Sequence, residues 1–285
     1  MLIMVRERRM TDIEKSKALV KKIQEIVYSM LKDIDSFCRK NNITYFLSGG
    51  TCLGAVRHKG FIPWDDDGDI MMPRKDYDRF LKLFEKEYKE KYGVGSLAND
   101  REWMRQYARV WDKRTILKAN NVADKDIGVF IDVFPIDGLP ENKYIRTLYY
   151  KKVKILDGLK NASYKTKSLE DENFKLIKKI AAIAVKPFGA RFFAVKMDKS
   201  ARRYDFDKSK YVGVSMVTHY GQRETIERKY MAHGLEMKFE DSTFTVPCGF
   251  KRYLKNLYGD YMKLPKDADQ NYPHISTYSL TILDE

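Results

Sequence analysis

Residues 47–72 read LSGGTCLGAVRHKGFIPWDDDGDIMM, and this stretch sets the interpretation of everything around it. Phe46 and Leu47 close an apolar run before Ser48-Gly49-Gly50-Thr51, which predicts a strand entering a tight turn. Two glycines let the backbone bend sharply and approach a ligand with no Cβ in the way. Amides of such a turn, with a helix N-terminus behind them, favour phosphate oxygens. The stretch then runs through Asp65, Asp66, Asp67 and Asp69 into the apolar Ile70-Met71-Met72. On a strand, Asp67 and Asp69 would share a face, roughly 6.6 Å apart. Two carboxylates so placed suit a divalent cation that prefers oxygen ligands. A phosphate turn beside a metal pair points to phosphoryl or nucleotidyl transfer.

The residues between turn and acids add candidates. Arg57 offers a planar fork for a phosphate. His58 is a candidate proton shuttle, and Trp64 carries an aromatic face that suits a quaternary ammonium. Further along, Gly128–Val133 (GVFIDV) predicts a strand rich in Val, Ile and Phe. Asp132 sits in it between Ile131 and Val133, where a carboxylate is costly to bury unless a metal or a cation meets it. Tyr107, Arg109 and Trp111 can share one face of another strand, and Arg109 and Lys113 are candidates to neutralise donor charge.

The longer pattern resembles a known family. GG[ST], a D-x-D on a strand and a distant third acid resemble the DNA polymerase beta-like nucleotidyltransferases. The string SGGTCLGAVRHKGFIPWDDDGDI resembles the LicD family within that fold, which includes bacterial phosphocholine transferases and has fukutin and fukutin-related protein as distant relatives. The likeness spans about Glu25 to Pro140, with a weaker echo at Leu257–Pro265 (LYGDYMKLP). It implies an α/β (α+β) nucleotidyltransferase-like core, a short mixed sheet flanked by helices. It assigns Asp67, Asp69 and Asp132 as catalytic and metal-ligating, with Asp65 as a further ligand candidate, for Mg²⁺ or Mn²⁺. It sets Ser48, Gly49, Gly50 and Thr51 at the donor phosphates. The implied reaction moves a phospho-substituent, foremost phosphocholine from CDP-choline, to a sugar hydroxyl and releases CMP. The acceptor is a cell-surface glycan or teichoic-acid-type polymer carried on lipid. Position 68 departs from the family: a bulky apolar residue is usual there, and this chain has Gly68. Glycine in a strand costs about 1 kcal/mol and predicts a loosened strand, with the ligands still in place.

Outward from this core, Thr11 to Glu14 reads as a capping box, and apolar residues at three- and four-residue steps predict a helix over 12–40, ended by Asn41-Asn42. A second helix is expected from Pro73 to about Tyr92. Pro135, Asp137-Gly138 and Pro140 predict a turn. The chain divides on this reading into a catalytic core, 1–140, and a mainly helical C-terminal region, 141–285, on the acceptor or membrane side. Strands are expected at 211–217 and 244–246, and a last helix at 251–258 closed by Gly259. Residues 176–195 (LIKKIAAIAVKPFGARFFAV) form the most apolar part of that region. Pro187 and Gly189 break it into two short helices. Its basic flanks suit an anionic membrane surface, and a buried helical hairpin is the other reading.

The net charge of +14 asks for anionic partners: phosphorylated substrates, an anionic membrane or nucleic acid. No nucleic-acid module is recognisable, which places nucleic acid last. No run of eighteen apolar residues exists, so no membrane-spanning helix is expected. The apolar part of the first ten residues is too short for a secretory signal. Cys38, Cys52 and Cys248 are odd in number and lack metal-ligand spacing, as do His219, His233 and His274. A cytoplasmic protein, peripheral at the inner face of the plasma membrane, is the resulting expectation. Three rivals stand beside the phosphocholine reading: an NTP-using nucleotidyltransferase acting on RNA or protein, a metal-dependent glycosyltransferase built on the D-x-D, and an inactive binding module on the same fold.

Overall fold

The computed structural model describes residues 12–119, 127–164, 183–265 and 278–283. Thr11, His274 and residues 165–182, with the first part of the apolar segment, lie outside them. The architecture is α/β, as expected. A mixed seven-stranded sheet carries the strands β1 (Phe46–Leu47), β2 (Gly68–Pro73), β3 (Tyr92–Gly95), β4 (Ala108–Asp112) and β6 (Phe130–Leu139) in the order β1-β2-β6-β4-β3. β2 and β6 run parallel, and the other pairs in this row are antiparallel. β7 (Tyr211–Gly213) joins the far end of β6, and β8 (Ile226–Glu227) joins β7. β5 (Thr115–Ala119) pairs with β11 (Tyr278–Ile282), and β9 (Gly234–Phe239) with β10 (Ser242–Pro247) makes a hairpin.

Helix α1 (Asp12–Lys40) covers the sheet because its apolar residues keep helical spacing: Ile23, Val27, Met30, Leu31, Ile34 and Phe37 are all buried. Gly68 is explained by this packing. A Cβ there would stand 2.6 Å from Val27 Cγ1 and 3.2 Å from Ile131 Cγ1, so the strand has no room for a side chain against α1. The expectation of a merely loosened strand gives way to one of close helix–sheet approach.

Helix α2 (Gly49–Arg57) starts directly at the glycines, and α3 (Arg74–Tyr88) follows Pro73. The second helix stops four residues short of the expected Tyr92, which instead opens β3. Phe84 still stacks on both Tyr88 and Tyr92, with ring centroids 4.7 and 5.7 Å apart, so Tyr92 stays in the aromatic cluster although the chain has turned. The turn expected at 135–140 is absent, because β6 runs on to Leu139. Asp137, Gly138 and Leu139 pair with β7, a segment some seventy residues downstream. Pro135 falls in the gap where that edge of β6 has left β4 and not yet met β7, a position that tolerates a missing amide. The Asp137 side chain takes a bidentate fork from Arg74 at 2.6 and 2.7 Å.

Residues 141 onward contribute α4 (Lys143–Tyr164), α5 (Gly189–Ala201) and α6 (Phe250–Tyr258), together with β7 to β11. The break at Pro187 and Gly189 is present as a 3-10 turn, Lys186–Phe188, and a left-handed Gly189 at φ 68°. The strand expected over 211–217 is only three residues long, and the one expected to enter the glycine turn only two. Gly259, at φ 70°, ends α6 as expected. Among the described residues no helix is long and apolar enough to cross a membrane.

Candidate active site

Sheet register brings the acids together. Asp69 on β2 is the Cα partner of Asp132 on β6, and Asp132 is the partner of Arg109 on β4. One row of the sheet therefore carries carboxylate, carboxylate and guanidinium. Arg109 Nε donates to Asp132 Oδ1 at 2.6 Å and Nη2 to Oδ2 at 3.4 Å. The guanidinium also lies over the Phe130 ring, 3.6 Å from its centroid. Of the two remedies expected for a buried Asp132, the structure supplies the cation. Lys113 is spent elsewhere, on the Lys89 carbonyl.

The glycine pair is fitted to the acids. Gly49 has a φ of 49°, and a Cβ there would lie 2.8 Å from Asp69 Oδ2. A Cβ on Gly50 would lie 2.8 Å from Asp65 Oδ2. Only glycines allow both carboxylates to close on the start of α2. Thr51 Oγ1 accepts the Asp69 amide at 2.9 Å. The hydroxyl of Tyr253, on α6, accepts the Gly49 amide at 3.2 Å and bonds Ser48 Oγ at 3.1 Å. The side chains of Ser48 and Thr51 are thus buried and engaged within the protein. Of the four turn residues, Gly50 reaches the cavity.

That cavity, about 440 Å³, is the centre of the site. Asp65, Asp67 and Asp69 line one side, and Trp64, Tyr220, Tyr258 and Tyr261 bring aromatic rings. Tyr220 donates to the Tyr258 hydroxyl at 3.1 Å, with the rings edge to face at 5.5 Å. Arg57 and Lys263 supply positive charge, and Asp260 a further acid. Arg57 is anchored: its Nη1 donates to the Tyr261 carbonyl at 2.9 Å and the Lys263 carbonyl at 3.5 Å.

Like charges in a buried setting raise carboxylate pKa values. Asp69 is held well above the ordinary range by burial first, then by Asp67, Asp132 and Asp65, while Arg109 pulls the other way. Asp65 is raised by burial, then by Asp67 and Asp66. Among the described residues no three acids are drawn into ligating contact as they stand. Asp65, Asp67 and Asp132 all press on Asp69, with Arg109 bound to Asp132 at the end of the row, and carboxylate oxygen is the donor type that a hard divalent cation prefers.

The remaining candidates separate. His58 packs edge-on against Trp64, its pKa lowered by burial and then by Arg57, and it does not line the cavity. His219 packs against Tyr220 on a neighbouring cavity. His233 is exposed, and the three cysteines are free thiols. Residues missed from the sequence are Tyr220, Tyr258, Asp260, Tyr261 and Lys263. All but Tyr220 belong to the LYGDYMKLP echo, which carried the signal. Tyr253, which seats the first turn of α2, left none.

The family model described as "LicD/FKTN/FKRP, nucleotidyltransferase domain" matches residues 42–156, which include Asp67, Asp69 and Asp132. The chain is 32% identical over 267 residues to the lipopolysaccharide cholinephosphotransferase LicD of Haemophilus influenzae, covering 91% of this chain and 97% of that protein. An uncharacterized protein of Rickettsia typhi is 31% identical over 125 residues, 44% of this chain and 38% of that one. An uncharacterized protein of Rickettsia prowazekii is 50% identical over 50 residues, 18% of this chain and 19% of that one. Identity that runs from end to end of a LicD, rather than through the glycine turn and the acids alone, makes this chain a member of the LicD family.

Proposed function

We propose that this protein transfers phosphocholine from CDP-choline to a sugar hydroxyl of a cell-surface glycan and releases CMP. The observation that carries the reading is the cavity in which Asp65, Asp67 and Asp69 stand with Trp64, Tyr220, Tyr258 and Tyr261. Acids serve a phosphoryl transfer site, and aromatic faces with nearby carboxylates suit a trimethylammonium group. The name of the Haemophilus relative, a lipopolysaccharide cholinephosphotransferase, supports both the transferred group and a glycan acceptor. A lipid-linked or teichoic-acid-type polymer is the acceptor form in this proposal.

Asp67 and Asp69, with Asp65 and Asp132 beside them, would hold Mg²⁺ or Mn²⁺, which supplies charge neutralisation for the phosphates and the leaving oxygen. The protein's own groups do the positioning. Gly50 presents the positive end of α2 to the donor phosphates. Arg57, fixed by two carbonyls, adds positive charge on the donor side. Asp132, held by Arg109 and set beside Asp69 in the sheet, would help activate the acceptor hydroxyl from behind the cavity wall.

The test is nucleotide release with Mg²⁺ from CDP-choline, CDP-ribitol, CDP-glycerol, UDP-glucose and the four NTPs, with and without a bacterial glycan extract. CMP from CDP-choline, dependent on the extract and lost in Asp69→Asn, is the expected result. Pyrophosphate from an NTP would replace this reading with nucleotidyl transfer, and UDP from UDP-glucose with glycosyl transfer. Failure of every donor in the presence of acceptor would overturn it in favour of a binding module.

A further inference from the structure

Helix α4 has two faces, and only one is explained by the fold. Tyr149, Tyr150 and Val153 point inward, with Met197 and Ala201 of α5 in the same buried cluster. The opposite face should be polar in a surface helix. It instead carries Tyr144, Leu148 and Ile155, which are 81, 64 and 63% exposed, with Ile145 beside them. Positions 144, 148 and 155 are spaced by four and seven residues, so they form a single stripe along roughly 16 Å of helix. Isolated exposed apolar side chains are ordinary, whereas an aligned stripe marks an interaction surface. Phe188, on the 3-10 turn that packs against α4, is likewise more than half exposed.

Charge identifies the partner. Lys151 and Lys152 fill the turn between Leu148 and Ile155, and Lys143 and Lys154 flank the stripe, all four of them exposed. The one acid of α4, Asp157, is turned inward, where it accepts from Thr218 at 2.7 Å and pairs with Lys160 at 2.8 Å. An apolar stripe edged by lysines and free of acids matches an interface of acyl chains and anionic headgroups. A second copy of this chain fits poorly, since two-fold pairing would set Lys151 and Lys152 against themselves.

We propose that α4 lays this stripe on the surface of an anionic phospholipid bilayer, Tyr144, Leu148 and Ile155 entering the interface and the lysines meeting headgroup phosphates. The partner class is that expected for 176–195, but the surface is a different one. Lys151 and Lys154 also border a cavity of about 250 Å³ whose wall includes Tyr220, the same tyrosine that lines the acid cavity. On the function proposed above, docking by α4 brings the catalytic cavity to the plane where a lipid-linked acceptor is presented. The docking itself does not rest on that function.

The experiment is vesicle flotation of the full chain with phosphatidylcholine alone and with phosphatidylcholine and phosphatidylglycerol mixed. Binding to the anionic vesicles only is expected, reduced roughly tenfold or more by the double variant L148D/I155D and weakened by K151E/K152E, which also lowers the salt dependence. The single variant Leu148→Trp, which adds no charge, should show fluorescence quenching by brominated lipid that the wild-type tryptophans do not. Absence of wild-type binding, or binding indifferent to all these changes, overturns the proposal. So does a concentration-dependent dimer that L148D/I155D dissolves, which would make the stripe a contact between copies. A large loss of thermal stability in L148D/I155D, with vesicle binding unchanged, would show the stripe covered by the chain itself and overturn it too. CMP release from the soluble donor assay is scored separately, so docking and donor chemistry fail independently.

Discussion

Arg109 grips Asp132 at 2.6 Å in the same row of the sheet where Asp132 is the register partner of Asp69. Within this row of the sheet Arg109 is the cation, and Asp65 and Asp67 stand near Asp69 on the cavity. The carboxyl whose ionisation is most opposed lies on the cavity side, at Asp69, and the one paired with a cation lies in the sheet, at Asp132.

Asp69→Asn should therefore separate function from stability. We expect CMP release to fall by roughly 10²–10³ or more, while the metal-free protein melts at a higher temperature because the cost of burying that carboxyl among other acids is gone. Thermal melts with and without Mg²⁺ check this, since the wild type should gain more from the ion than the variant. Wild-type turnover in Asp69→Asn would remove it from the catalytic set.

Removing Arg109 should do the reverse. Arg109→Ala leaves Asp132 uncompensated among like charges, with an expected destabilisation of about 3–5 kcal/mol by urea unfolding. Arg109→Lys keeps the charge but not the fork or the stacking on Phe130, and should recover part of the stability. Equal stability of wild type and Arg109→Ala would show that the pair contributes nothing to the fold.

Gly68 gives a prediction opposite to the one its family suggests. Gly68→Ile, restoring a bulky residue, should cost about 1–3 kcal/mol because Val27 and Ile131 already occupy the space. Val27→Ala should relieve much of that cost, so the double variant is more stable than the sum of the two changes. Simple additivity would mean that α1 does not dictate the glycine.

Glu224 is buried, its Oε2 has no hydrogen-bond partner among the described residues, and burial pushes its pKa up to about 8. The titratable neighbours Tyr150, Tyr220 and Tyr253 are also shifted upward and stay neutral over this range. Below about pH 4.5 the carboxyl is neutral in both folded and unfolded chains. From there to pH 8 the unfolded chain ionises first, so stability declines as pH rises and levels off above 8. Glu224→Gln should remove a slope worth a few kcal/mol, with its largest advantage near pH 8–9. Parallel stability curves for the two proteins would refute it.

Local pattern carried much of this fold. The spacing of Ile23 to Phe37 gave α1, the apolar run after the acids gave β2, and Gly259 marked the end of α6. Patterns were misleading where a distant partner decided the outcome. Pro135 and Gly138 carry turn chemistry, yet β7 holds them in a strand. Phe84, Tyr88 and Tyr92 keep helical spacing across a break in the helix. In the site, the acids and glycines were legible because they are adjacent in sequence. The Arg109–Asp132 pair was visible only as two separate candidates, and the role of Tyr253 depends on a contact that spacing cannot encode.

The Tyr253 hydroxyl reaches back 205 residues to Ser48 and 204 to Gly49. Such a link sets an order of events on the ribosome. The nascent chain holds its glycines and its acids first, and the residue that seats the first turn of α2 emerges some two hundred residues later. Long-range closure of this kind is slow relative to local folding. The acid-lined pocket then matures only after Tyr253 has been made, and a chain that stops short of that residue carries its glycines and acids without the contact that seats them.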